Sequence, residues 1–157
     1  MLKFAALILV ASFTALASTV AASDASRIDF LTASTANRLN PHDIKLSPGG
    51  KYMFVSDVDN DWVAVLDAET LQLVDYFGSD HQGDTHYVDF DTAVRIYLAD
   101  THNGRVTIYE MSGTRGRLVS ELTECIRGPE GVEVRGETLW IFDSGNDRIV
   151  KYRLRRS

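Results

Sequence analysis

Two histidines and a glutamate recur at one interval along the chain: His42, His86 and Glu130 lie 44 residues apart. Imidazole nitrogens and carboxylate oxygens ligate borderline divalent cations, and two His plus one Glu with an open position is a zinc set that can activate water. These three are the candidate metal ligands, for Zn or Ca. The competing reading has His42 and His86 capping a turn or bonding a neighbouring backbone carbonyl. A second concentration lies in Ser79-Asp80-His81-Gln82-Gly83-Asp84-Thr85-His86, where two carboxylates and two imidazoles within seven residues could hold calcium or zinc. A polar, glycine-containing connector has the same composition. No Gly-x-Ser-x-Gly elbow, no phosphate-cradling glycine loop with lysine and no His-Glu-x-x-His is present. Cys125 is the single cysteine, so no intramolecular disulfide is available and packing must supply the stability.

The interval belongs to a repeat. Pro41-His42-Asp43-Ile44-Lys45-Leu46, Thr85-His86-Tyr87-Val88-Asp89-Phe90 and Pro129-Glu130-Gly131-Val132-Glu133-Val134 align with one another. Each is followed by a short run of β-branched and aromatic residues and then by Asp57-x-x-Asn60, Asp100-x-x-Asn103 or Asp143-x-x-Asn146, 43 residues apart. The one-residue difference is the extra turn position in Ser47-Pro48-Gly49-Gly50. A unit in the low forties, strand-like throughout, fits a blade of four strands. Asp and Asn side chains bond nearby amides, and Gly104 and Gly145 are expected to supply left-handed backbone, so Asp-x-x-Asn reads as the hairpin between second and third strands. Leu71–Phe77 and Arg117–Leu122 supply the fourth strands of the first two copies. The third copy stops after its third strand, and Ile28-Asp29-Phe30-Leu31 is a candidate for the missing one. The expected fold is all-β: a partial β-propeller of three four-stranded antiparallel blades, about 40–84, 85–127 and 128–157. In such a fold the loops entering the innermost strands converge on one mouth, which groups His42, His86 and Glu130.

Gly128-Pro129-Glu130-Gly131-Val132-Glu133-Val134 and Leu139-Trp140-Ile141-Phe142-Asp143-Ser144-Gly145-Asn146-Asp147-Arg148-Ile149 resemble an NHL repeat. The second copy keeps Asp100-x-x-Asn103-Gly104-Arg105-Val106, and the first carries Trp62 where the others have arginine. The resemblance covers about residues 40 to 154 and implies a six-bladed type of ring, incomplete in one chain. Pro41-His42-Asp43-Ile44 is similar to a segment of the peptidyl-α-hydroxyglycine α-amidating lyase propeller, whose zinc histidines enter from such loops. Only His42 and, less closely, His86 match that segment, while Glu130 departs from it. Because closed propellers need four to eight blades, three imply a homodimer completing the ring, a piece of a longer propeller, or an open wedge.

Residues 1 to 22 read as a signal peptide, with Lys3 ahead of an apolar stretch and a cut after Ala17 or Ala22, followed by an N-terminal segment over 23–39. The expected location is secreted or periplasmic, with no membrane span after cleavage. Removing Lys3 from the 16 basic residues leaves 15 against 22 acidic ones, a surface that repels phosphate and argues against nucleic acid. Three functions follow: a binding or scaffold protein for a protein, peptide or carbohydrate partner; a metal-dependent propeller lyase or hydrolase; or a propeller fragment without activity of its own.

Overall fold

In a computed structural model, residues 29–35 and 39–155 are described. The signal segment and Ile28 lie outside the described residues. The apolar runs of the repeat become strands because side chains alternate between two faces, both of them covered in the second blade. The first sheet is a meander of β1 (Pro41–Leu46), β2 (Tyr52–Asp57), β3 (Trp62–Asp67) and β4 (Leu73–Phe77). The second repeats it with β5 (Thr85–Phe90), β6 (Arg95–Asp100), β7 (Arg105–Ser112) and β8 (Arg115–Leu122). The third holds β9 (Pro129–Arg135), β10 (Thr138–Asp143) and β11 (Arg148–Arg153). Among the described residues it has three strands rather than the expected four, because the repeat's fourth-strand segment has no counterpart after β11. Asp29–Leu31, the described part of the candidate closing strand, are not in a strand.

All three sheets belong to one compact unit, Thr32–Ser157. Within it the core lies between blades. Phe54, Val63 and Val65 of the first blade meet Val88, Ile96, Leu98, Tyr109 and Met111 of the second. Tyr97, Ala99, Val106 and Ile108, on the other face of that second blade, meet Val132, Leu139 and Ile141 of the third, with Ile126 from the connector. The inner strands β1, β5 and β9 lie side by side, and the blades form an open propeller-like arrangement.

The turns explain the regularity. Asp61 and Asp147 take the left-handed conformation (φ 56° and 51°) that closes the β2–β3 and β10–β11 hairpins. Gly104 does so in the second blade (φ 65°). Gly145 does not, contrary to the expectation from sequence. Its role is close approach: its N–H donates to the Arg127 carbonyl at 2.9 Å, and a Cβ there would lie 2.3 Å from that oxygen.

Candidate functional site

Each inner strand begins with a bulge. Pairing passes from Pro41↔Asp57 to Asp43↔Ser56, from Thr85↔Asp100 to Val88↔Leu98, and from Pro129↔Asp143 to Gly131↔Phe142. His42, His86 and Glu130 sit within those three bulges, the irregularity that re-aims a side chain at a sheet edge. The structure thus places all three at equivalent positions, as the spacing predicts. It brings two of them together: the His42 and His86 rings lie 4.6 Å apart at 55°. Glu130 is exposed on the next blade, and among the described residues no group of three or more His, Cys, Asp or Glu side chains converges to hold a metal ion. The connector residues disperse likewise. His81 Nε2 lies 2.6 Å from Glu121 Oε1, Asp84 Oδ2 lies 4.0 Å from His102 Nδ1, and His86 faces His42.

Side-chain bonds clamp the mouth across blades. Ser56 Oγ donates to the His86 carbonyl at 2.6 Å, and Thr101 Oγ1 donates to the Pro129 carbonyl at 2.7 Å. Asp43 Oδ2 accepts the Val88 amide at 3.0 Å, and Asp89 Oδ2 accepts the Val134 amide at 2.6 Å. Each of these two carboxylates reaches 45 residues ahead, into the inner strand of the following blade.

Beyond the bulges, Asp43, Ile44, Lys45, Tyr87, Glu133 and Phe142 line a groove of about 220 Å3 on the inner strands. Two of its charged residues, Lys45 and Glu133, share one register position of the repeats with Asp89, which lies outside the groove lining. Lys45 Nζ bonds Asp89 Oδ1 at 2.6 Å, and that bond holds the ammonium above its ordinary pKa despite partial burial. Ile44, Tyr87 and Phe142 keep much of their surface exposed. Phe142 can lie against the inner strand because residue 131 is glycine: a Cβ there would come 2.5 Å from the ring. This groove was not legible from the sequence, where Lys45 and Glu133 look like ordinary outward strand positions.

The Asp-x-x-Asn residues are structural. Asp57, Asp100 and Asp143 are fully buried, and each accepts three kinds of donor. Asn60, Asn103 and Asn146 donate at 2.8, 3.0 and 2.8 Å. The amides of Asn40, Gly83 and Arg127 donate at 3.0, 2.7 and 2.6 Å. Arg105 and Arg148 donate through Nε at 2.6 and 2.9 Å, and Trp62 Nε1 fills the same role at 2.7 Å. Burial pushes the Asp143 carboxyl up, but the Asn146, Arg127 and Arg148 donors outweigh it and hold the group below the usual carboxylate range. On the second blade, burial similarly opposes the Arg95 and Ala93 donors at Asp91, which stays low, while Tyr97, whose hydroxyl donates to Asp91 at 3.1 Å, is pushed up to about 12.

No protein-family model matches the chain, and no curated protein sequence matches it. Solved structures do. A protein of Bacteroides uniformis assigned as a 6-phosphogluconolactonase superposes with a TM-score of 0.64 at 17% identity, over 74% of this chain and 38% of that one. The periplasmic gluconolactonase PpgL of Pseudomonas aeruginosa gives 0.59 at 20% identity, over 73% and 37%. Hydrazine synthase of Kuenenia stuttgartiensis gives 0.55 at 16% identity, over 80% and 38%. At such identities the likeness is one of fold, and it establishes the chain as a β-propeller-type structure. The chain spans 37–38% of the length of these propeller proteins.

Proposed function

We propose that the chain is an extracytoplasmic, NHL-like β-propeller binding protein whose partner, a protein, peptide or carbohydrate, lies in the inner-strand groove. One observation carries this reading: Ile44, Tyr87 and Phe142 present apolar surface from three blades into a groove that also holds Asp43, Lys45 and Glu133. A concave surface of aromatic faces with a few placed polar groups is the usual composition of a ligand site. The signal-like segment at residues 1 to 22 supports export, and the fold is shared with a periplasmic protein. The test is capture of partners from secreted or periplasmic extract on the immobilised full chain. Tyr87→Ala combined with Glu133→Gln is expected to weaken retention about tenfold, the scale of one aromatic contact. Undiminished capture of every partner by the double variant would defeat the reading.

The paired imidazoles favour a second reading, a metal-dependent hydrolase or lyase in which His42 and His86 supply two ligands; Glu130, the third candidate, does not converge with them, so a further ligand would have to come from outside the described residues. Isothermal titration with Zn and elemental analysis decide it: stoichiometric metal lost on His42→Ala supports it, and metal-free protein that binds no Zn removes it.

A further inference from the structure

In an antiparallel pair, residues alternate between those whose N–H and C=O bond the partner strand and those whose N–H and C=O both point away from it. Val134 of β9 is of the second kind, since its amide leaves the third sheet and donates to Asp89 Oδ2 of β5 at 2.6 Å. Val132 stands two residues earlier, with no register shift between them, and is therefore of the same kind. Its N–H and C=O turn away from β10, beside the groove that Val132 lines with Tyr87 and Val88 of β5.

On β5 and β9 the amides that turn this way meet carboxylates. Asp43 Oδ2 takes Val88 at 3.0 Å, and Asp89 takes Phe90 through Oδ1 at 2.8 Å and Val134 through Oδ2. Val132 differs: among the described residues no side chain accepts its amide. The repeat explains why. Asp43 of the first blade corresponds to Tyr87 of the second, 44 residues on, so the residue that would cap Val132 is not an acid. A backbone donor in a buried residue is nearly always paired, and Val132 is 8% exposed, so its acceptor has to come from outside the chain. Charge narrows the choice. Lys45 Nζ is held by Asp89 Oδ1 at 2.6 Å, whereas Glu133 makes no ion pair among the described residues, so Asp43 and Glu133 leave the groove acidic.

We propose that the groove takes an extended peptide, one residue of which exchanges N–H and C=O bonds with Val132 while a neighbouring lysine or arginine side chain lies near Asp43 and Glu133. Addition to a free strand edge supplies the affinity and the carboxylates supply the preference. The inference rests on the groove as partner site and selects a peptide among the partners named for it. The probes are acetyl-Ala-Lys-Ala-amide, acetyl-Ala-Glu-Ala-amide and cellobiose, titrated into the isotope-labelled full chain and followed by amide resonances and hydrogen exchange. In the free chain the Val132 amide is expected to exchange faster than those of Val88 and Val134. The lysine peptide is expected to shift the Val132 resonance, slow its exchange, and bind about fivefold more tightly than the glutamate peptide, the scale of one exposed ion pair. Tyr87→Asn places a neutral acceptor where the first repeat has Asp43. It is expected to slow Val132 exchange with no peptide present and to abolish the peptide-induced shift, which persists in Tyr87→Ala. Unchanged protection at Val88 and Val134 shows that both variants fold. A free chain in which Val132 is as protected as Val88 and Val134 would overturn the proposal, because the amide is then already bonded. Preference for cellobiose or the glutamate peptide, or no shift at Val132 with any probe, would overturn it too. These results leave the groove itself standing, which falls only on undiminished capture by the Tyr87→Ala, Glu133→Gln double variant.

Discussion

Asp57 differs from Asp100 and Asp143 in one partner, an indole where the others have a guanidinium, and that difference can be measured. Each carboxylate is removed from water, so each donor matters most for what its loss leaves unsatisfied. Trp62 Nε1–H occupies the place of the arginine Nε–H, and its ring also lies 4.5 Å from that of Tyr76. Trp62→Ala removes both and is expected to cost about 2–3 kcal/mol, the scale of a buried acceptor left short plus a lost aromatic contact. Trp62→Arg restores the donor that the other repeats use and is expected to recover more than half of that loss. Urea midpoints of the three proteins check this order. Equal loss in the two variants would mean that ring packing, not the carboxylate's bond, holds Trp62 in place. In the sequence the substitution reads as a weakened repeat. The geometry shows an unchanged bond supplied by a different side chain.

At the level of the element, glycines that look alike in sequence have unlike work. Gly145 has the Arg127 carbonyl where its Cβ would be, whereas Gly49, in the β1–β2 turn, has nothing within 4 Å of that position. Gly145→Ala must push apart the β10–β11 turn and the connector from the second blade, and a loss of several degrees in Tm is expected. Gly49→Ala is expected to stay within about 1 kcal/mol of the parent. Thermal melts of both variants provide the comparison, and a harmless Gly145→Ala would contradict the close approach. Strand positions were legible in advance because each repeat alternates apolar side chains toward two faces of the sheet and its second strand ends at Asp-x-x-Asn. The left-handed residue was less so. Asp147, two positions beyond Gly145, takes that conformation, which Asp tolerates and which no local pattern distinguishes from the glycine nearby. The site followed the same division. Spacing alone put His42, His86 and Glu130 at equivalent bulges, but whether side chains one blade apart meet depends on the rotation between blades. That rotation is set by the interblade core and has no signature in any single repeat.

Across the whole molecule, stability should run from the middle outward, because in a repeat array each unit gains from the neighbours it touches. The second blade is covered on both faces: β6 is buried over Ile96–Asp100 and β7 over Val106–Tyr109. The third is covered on one. Its β11 follows a half-exposed pattern, and its outer edge has no fourth strand among the described residues. Opening β10 therefore exposes less apolar surface than opening β6, and local opening free energy follows that difference. Native-state hydrogen exchange is expected to show faster exchange at Leu139 and Ile141 than at their counterparts Ile96 and Leu98. The contrast is informative because these amides occupy the same ladder positions in the two blades, so hydrogen-bond geometry cancels and burial of the flanking face remains. Uniform protection across the two strands would mean that the blades open together, and that the interfaces between them, rather than the number of covered faces, limit unfolding.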